Sequence, residues 1–134
     1  MSNATDIKHR PVRTIRLPAE QIARILDEMD CTPVGGQAAR QDSRYKYRIH
    51  EIVVLMQQPG LSSPMVFIVP TRNISARGLS FLHGGFVHPG TICVVQLLTT
   101  RGGQQNVVGT VRRCRYVQSN VHEVAVHFKN AVDP

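Results

Sequence analysis

The sequence predicts a mainly β protein, a six-stranded antiparallel β-barrel preceded by one α-helix. Two observations carry that prediction. After residue 48 come six short runs rich in β-branched residues, each bounded by Gly, Pro, Asn or Ser, and none has a helical period; that is the pattern of a small antiparallel barrel or sandwich. Ahead of them, "LPAEQIARILDEMD" (17–30) repeats apolar residues at i, i+3, i+4 and i+7, as an amphipathic helix does.

Residues 1–16 are polar and basic, with Lys8, Arg10, Arg13 and Arg16, and read as a flexible or loosely docked arm. In the helical stretch Pro18 suits the first turn and Glu20 stands where the helix dipole favours an acid. Ile22, Ile25, Leu26 and Met29 share one face. That face is expected to cover the barrel core, with a homodimer contact as the alternative. Pro33 and Gly35-Gly36 break the helix. The chain therefore divides into a basic arm with a helix (1–39) and a barrel domain (40–134).

The six strands read as "IHEIVVLM", "MVFIVP", "GLSFLH", "TICVVQLLTT", "NVVGTVRRCRYV" and "VHEVAVHF". The last alternates cleanly, Val124, Val126 and Phe128 against Glu123, Ala125 and His127. In the fifth, Val107 and Val111 have the opposite parity to Cys114 and Tyr116, so a β-bulge near Arg112-Arg113 is expected.

Composition narrows the function classes. The chain of 134 residues has 42% hydrophobic residues, enough for one compact core. No apolar run reaches the roughly 18 residues of a membrane span, and no signal-peptide pattern opens the chain. Cys31, Cys93 and Cys114 are three widely spaced cysteines without a CxxC, which reads as reduced thiols in a cytoplasmic protein. No Cys/His pair has metal-ligand spacing, so no metal is expected. Net charge is +7 with 13 Arg against 3 Lys. The sign favours an anionic partner, and the guanidinium is the better fork for phosphate. Codon bias in a GC-rich genome explains the same excess of Arg.

Two stretches carry the candidate site. "RQDSRYKYR" places Arg40, Arg44 and Arg48 four residues apart, just before the first strand. "TRNISARGLSF" places Asn73, Ser75 and Gly78 in an expected turn between the second and third strands. Taken singly, the first is a solvated basic segment and the second a turn. Together they resemble the paired signature of PilZ domains, RxxxR in an N-terminal loop and [D/N]xSxxG between strands. Here the halves are Arg44-Tyr45-Lys46-Tyr47-Arg48 and Asn73-Ile74-Ser75-Ala76-Arg77-Gly78, with 24 residues between Arg48 and Asn73. The closing "GTVRRCRY…EVAVHF" is also similar to that family, and the resemblance spans about residues 40–130.

The resemblance implies a bacterial receptor, not an enzyme, that binds the second messenger cyclic di-GMP on the barrel without a further cofactor. It implies ligand-binding roles for Arg44, Arg48, Asn73, Ser75 and Gly78. Arg40 and Arg44 also form an RxxxR; the Arg44/Arg48 register is preferred because Arg48 abuts a strand, and Arg40 is then an auxiliary contact. A guanidinium gives two parallel donors to a phosphate or to the O6/N7 edge of guanine. An Asn amide both donates and accepts at a guanine edge, and a Ser hydroxyl donates to phosphate. A single-domain receptor must act through a partner, here an unidentified effector protein, and ligand stoichiometry is left open. Many PilZ domains end in a helix, whereas this helix precedes the barrel.

Four other classes compete with this reading. A small basic barrel can bind nucleic acid, with "RRCRY" as its best patch, but aromatics are only 5% and no strand shows a stacking ladder. That patch also reads as a strand edge kept soluble by charge. A flavin-binding split barrel shares the strand layout, yet no residue assigns a flavin. A ligand-free PilZ-like interaction module is the remaining alternative. His83, His88, His122 and His127 have no evident nucleophile partner, and Asp42 and Glu51 show no pairing for acid/base work.

Overall fold

The computed structural model describes residues 11–31, 45–49, 51–58, 60, 63–98 and 102–132. In chain order these form β1 (Val12–Arg13), α1 (Ala19–Cys31), β2 (Tyr45–Lys46), β3 (Ile52–Gln57), β4 (Met65–Val69), β5 (Thr71–Ser75), β6 (Gly78–His83), β7 (Ile92–Leu98), β8 (Gln104–Gln118) and β9 (Val121–Phe128). The protein is mainly β with an N-terminal helix, as the sequence predicts. The strands make one sheet in the order β1-β4-β3-β7-β8-β9-β6-β5-β2.

All six expected strands are present, as β3, β4, β6, β7, β8 and β9. Three more join them, so the described residues form nine strands rather than six. β1 and β2 are two-residue strands, and β1 pairs with β4 in parallel, a departure from an all-antiparallel sheet. The third addition, β5, is the stretch that the sequence reads as a turn. Thr71–Ser75 is extended, and only Ala76-Arg77 turns the chain. The two ends of the sheet are not paired to each other.

Pro70 shapes the sheet. It is the single residue between β4 and β5, yet these hold the second and eighth places in the strand order. The sheet must therefore curl until its flanks nearly meet. Pro70 has no N–H for a ladder, which suits a corner. Its carbonyl accepts the Leu82 N–H at 2.9 Å, tying the corner to β6. Inside the curl lie Ile52, Val54, Met56, Phe67, Val69, Leu79, Phe81, Val95, Val111, Val124, Val126 and Phe128, all buried.

The register explains the alternation. Val124, Val126 and Phe128 face the core. β8 shifts register against β9 between Val111 and Arg113, the expected bulge, which lets Val111 and Cys114 both reach the core side. Ser119 (φ 52°) and Asn120 (φ 64°) supply the two left-handed residues of the hairpin to β9.

α1 packs outside the sheet. The Pro18 carbonyl starts it, accepting from the Gln21 and Ile22 N–H groups at 3.0 and 3.1 Å. Ile22, Ile25, Leu26 and Met29 bury against Leu82 of β6 and Val121 of β9, with Ile15. Four such side chains contribute roughly 6–12 kcal/mol of burial, whereas exposed ion pairs contribute about 0–1 kcal/mol each. The apolar face, not charge, seats the helix on the sheet.

Candidate functional site

The two halves of the candidate signature meet as paired strands. Tyr45 lies opposite Ile74 and Lys46 opposite Asn73. Tyr47 donates its N–H to the Arg72 carbonyl at 3.0 Å, and Thr71 donates its N–H to the Ile49 carbonyl at 3.0 Å. The Thr71 hydroxyl accepts the Ile49 N–H at 2.9 Å and donates to the Tyr47 carbonyl. Residues 45–49 are thus zipped along β5 and deliver Arg48 beside it. Tyr47 packs against the core, and its hydroxyl donates to the Leu98 carbonyl at 3.1 Å.

A bulge sets which side chains face outward. β5 shifts register against β6 between Thr71 and Asn73. Thr71 lies opposite Phe81 of the core face, Ile74 opposite Leu79, and Asn73 opposite Ser80 on the outer face. The extra residue places Arg72 and Asn73 both outward. From Asn73 one outer row runs across the sheet: Lys46 of β2, Asn73, Ser80, Ala125 of β9 and Arg113 of β8. With strands about 4.8 Å apart, that row is about 19 Å long. Its middle positions, Asn73, the buried Ser80 and Ala125, carry small side chains, and its two ends are cationic. The Ser80 hydroxyl donates to Asn73 Oδ1 at 2.9 Å and orients the amide.

Next to that row an ion-pair ladder joins the sheet to the helix. Arg48 Nη1 meets Asp27 Oδ1 at 2.6 Å, and Arg48 Nη2 meets Asp30 Oδ2. Asp30 Oδ1 is shared with Arg72 Nε at 2.9 Å. Arg72 Nη1 continues to Glu123 Oε2 at 2.7 Å, and Arg115 Nη2 reaches Glu123 Oε1 at 2.8 Å. Arg72 Nη2 also donates to the Met29 carbonyl at 3.3 Å. The last turn of α1 has no basic residue of its own, so arginines from outside the helix answer its C-terminal dipole. Burial pushes the carboxyls of Glu123 and Asp30 up, but the hydrogen bonds and charges of their arginines outweigh it and hold both below their usual values. The Asp27 hydrogen bond is the largest influence raising the Arg48 guanidinium.

The remaining predicted residues are placed as follows. Ser75 is only 6% exposed, and its hydroxyl spans the turn, accepting from the Arg77 N–H at 3.3 Å and donating to the Gly78 carbonyl at 3.4 Å. Both bonds are long and correspondingly weak. A Cβ on Gly78 would stand 2.3 Å from the Val126 carbonyl oxygen, so packing of β6 on β9 already demands glycine there. Arg40 and Arg44 lie outside the described residues. Sequence reasoning missed Arg72, Glu123, Asp27 and Asp30. The two aspartates sit at i, i+3 on the helix, a visible signal, but nothing local pairs them with Arg48.

The basic run of β8 divides between two roles. Arg115 is engaged by Glu123, while Arg112 and Arg113 are exposed at the bulge. Beyond Val111 the register pairs of β8 are with β9 alone, so this segment runs past β7. Among the described residues no group of three or more His, Cys, Asp or Glu is arranged to hold a metal ion. Nor is any described helix long and apolar enough to cross a membrane.

The sequence model of the family described as PilZ domain matches residues 38–134. No curated protein matches the chain. Among solved structures, the chain is similar to the Bacillus subtilis inhibitor of motility MotI/DgrA (18% identity, TM-score 0.49, covering 69% of this chain and 44% of that one). It is also similar to K. pneumonia MrkH in its complex with c-di-GMP (12% identity, TM-score 0.46, covering 67% and 44%). The present chain thus matches less than half the length of either structure.

Proposed function

We propose, on the premise that the chain belongs to the PilZ domain family, that it is a receptor for cyclic di-GMP that relays ligand binding to a partner protein. One observation carries the reading: the segment ending in Arg48 is hydrogen-bonded along the strand that bears Asn73. That pairing sets Arg48 beside the strand of Asn73 and supports reading the two motifs as one surface. On it, Arg48 and Arg44 take phosphate or the guanine O6/N7 edge as two parallel donors to two acceptors. Asn73, its amide oriented by Ser80, meets a guanine edge. Ser75 exchanges its long turn bonds for a phosphate oxygen. Gly78 keeps the floor low, and Arg40 is auxiliary. Each charge-assisted contact contributes about 1.5–3 kcal/mol.

Calorimetry with cyclic di-GMP tests this. The expected result is binding near micromolar or tighter, with GTP and cyclic di-AMP far weaker. No heat at high ligand concentration would leave a ligand-free interaction module instead.

A further inference from the structure

The receptor reading asks Arg48 to hold a phosphate, but in this structure Arg48 already holds two carboxylates. Nη1 is turned to Asp27 and Nη2 to Asp30. The third nitrogen, Nε, is buried and has no hydrogen-bond partner. A two-point grip on phosphate needs two parallel N–H groups of one guanidinium, Nε with one Nη or both Nη together. Each choice includes an Nη now directed at the helix. Phosphate and α1 therefore compete for the same group, and they repel each other, since two carboxylates beside a dianionic ligand are like charges in close quarters.

We infer that Asp27 and Asp30 act as an internal anion that occupies Arg48 in the ligand-free protein, and that cyclic di-GMP displaces them and releases the ion-pair hold of Arg48 on the last turn of α1. This rests on the receptor reading. The exchange leaves the helix seated, because Ile22, Ile25, Leu26 and Met29 stay packed on Leu82 and Val121. It also leaves Asp30 a second partner in Arg72, so the ladder is shortened rather than dissolved. Once Arg48 swings away from the helix, its Nε–H, buried and without a hydrogen-bond partner here, gains a phosphate acceptor, which favours the ligand in the exchange. What changes is the hold on residues 27–31, the end of the helix nearest the outer row. Ligand occupancy thereby becomes a change of helix position or mobility that an effector protein can read.

The test compares the full chain with D27N/D30N, which keeps shape and removes both charges. Titration with cyclic di-GMP should show affinity about 10-fold higher in the variant. Hydrogen exchange in the parent should quicken at the amides of residues 27–31 when ligand is added, and in the variant it should be quick already. D27N alone, at a side chain 65% exposed, should raise affinity several-fold without a folding risk. Equal affinity and ligand-independent exchange would overturn the lock while the receptor stands. Weaker binding by the variants would also overturn it, because the aspartates would then be pre-positioning Arg48. No binding by parent or variants would end the receptor reading and the lock together. Binding by the variants alone would support the lock in its strongest form.

Discussion

The backbone N–H of Tyr47 donates to the carbonyl of Arg72 at 3.0 Å. This bond, with the pairs Tyr45–Ile74 and Lys46–Asn73 beside it, brings residues 45–48 of the first motif alongside the strand of the second, 24 residues further on. Arg48 and Asn73 are held there by backbone, not by the ligand that the surface is proposed to take.

The register of the arginines follows from that frame. Arg48→Ala and Arg44→Ala should each weaken cyclic di-GMP binding roughly 10-fold or more, the loss of about one charge-assisted contact. Arg40→Ala should lose less. Affinity across the three variants, with melting curves as a folding control, decides the register. A silent Arg48→Ala beside a damaging Arg40→Ala would assign the motif to Arg40/Arg44.

Asn73 and Gly78 should separate binding from packing. Asn73→Ala removes the Ser80 acceptor, costing about 1 kcal/mol of stability, and should weaken binding about 10-fold. Gly78→Ala puts a methyl 2.3 Å from the Val126 carbonyl oxygen, so its main effect should be on folding, about 1–3 kcal/mol. Urea denaturation beside calorimetry reads both. A stable Gly78→Ala protein would mean that β6 and β9 separate more easily than their register suggests.

Glu123 is the buried centre of the ladder. Its side chain is 8% exposed and takes both Arg72 and Arg115. Glu123→Ala leaves Arg72 short of a partner and should destabilise by about 3 kcal/mol. A loss below about 1 kcal/mol in urea denaturation would show that Asp30 alone satisfies Arg72.

Acid should act in two windows. Burial, followed by the nearby His122, pushes the His83 imidazole down from 6.5 to about 4. Gly84 N–H and His83 Nδ1 both meet the Thr14 hydroxyl, at 2.9 and 3.2 Å. A depressed folded value means that the unfolded chain binds the extra proton first. Stability should therefore decline as pH falls from 6.5 to about 4, by roughly 3 kcal/mol in total. The Glu123 and Asp30 carboxyls are also lowered, from 4.5 and 3.8, so their contribution is present above those values and is lost at lower pH. Melting temperature against pH should show both stages. His83→Asn, which does not titrate, should flatten the upper one, and an unchanged upper slope would place its source elsewhere.

Some of this was decided within the sequence itself. The apolar period of 17–30, the six β-rich runs and the parity break at Arg112-Arg113 each depend on side-chain spacing within one segment, and spacing is local. The paired motif was legible for the same reason, as residue types at fixed intervals. β5 was not legible. "TRNIS" has a bulge that puts two consecutive residues on one face, so its alternation is broken, and its Asn and Ser are turn formers in isolation. It is a strand because β6 and the segment 45–49 bond both its edges. The state of Arg48 was likewise beyond the sequence. Asp27 and Asp30 precede it by 21 and 18 residues, and only the seating of Leu26 and Met29 on Leu82 and Val121 brings their carboxylates to it. Charge pairing across that separation is a property of packing, because the partner of an ion is whichever counter-ion the folded core delivers within reach.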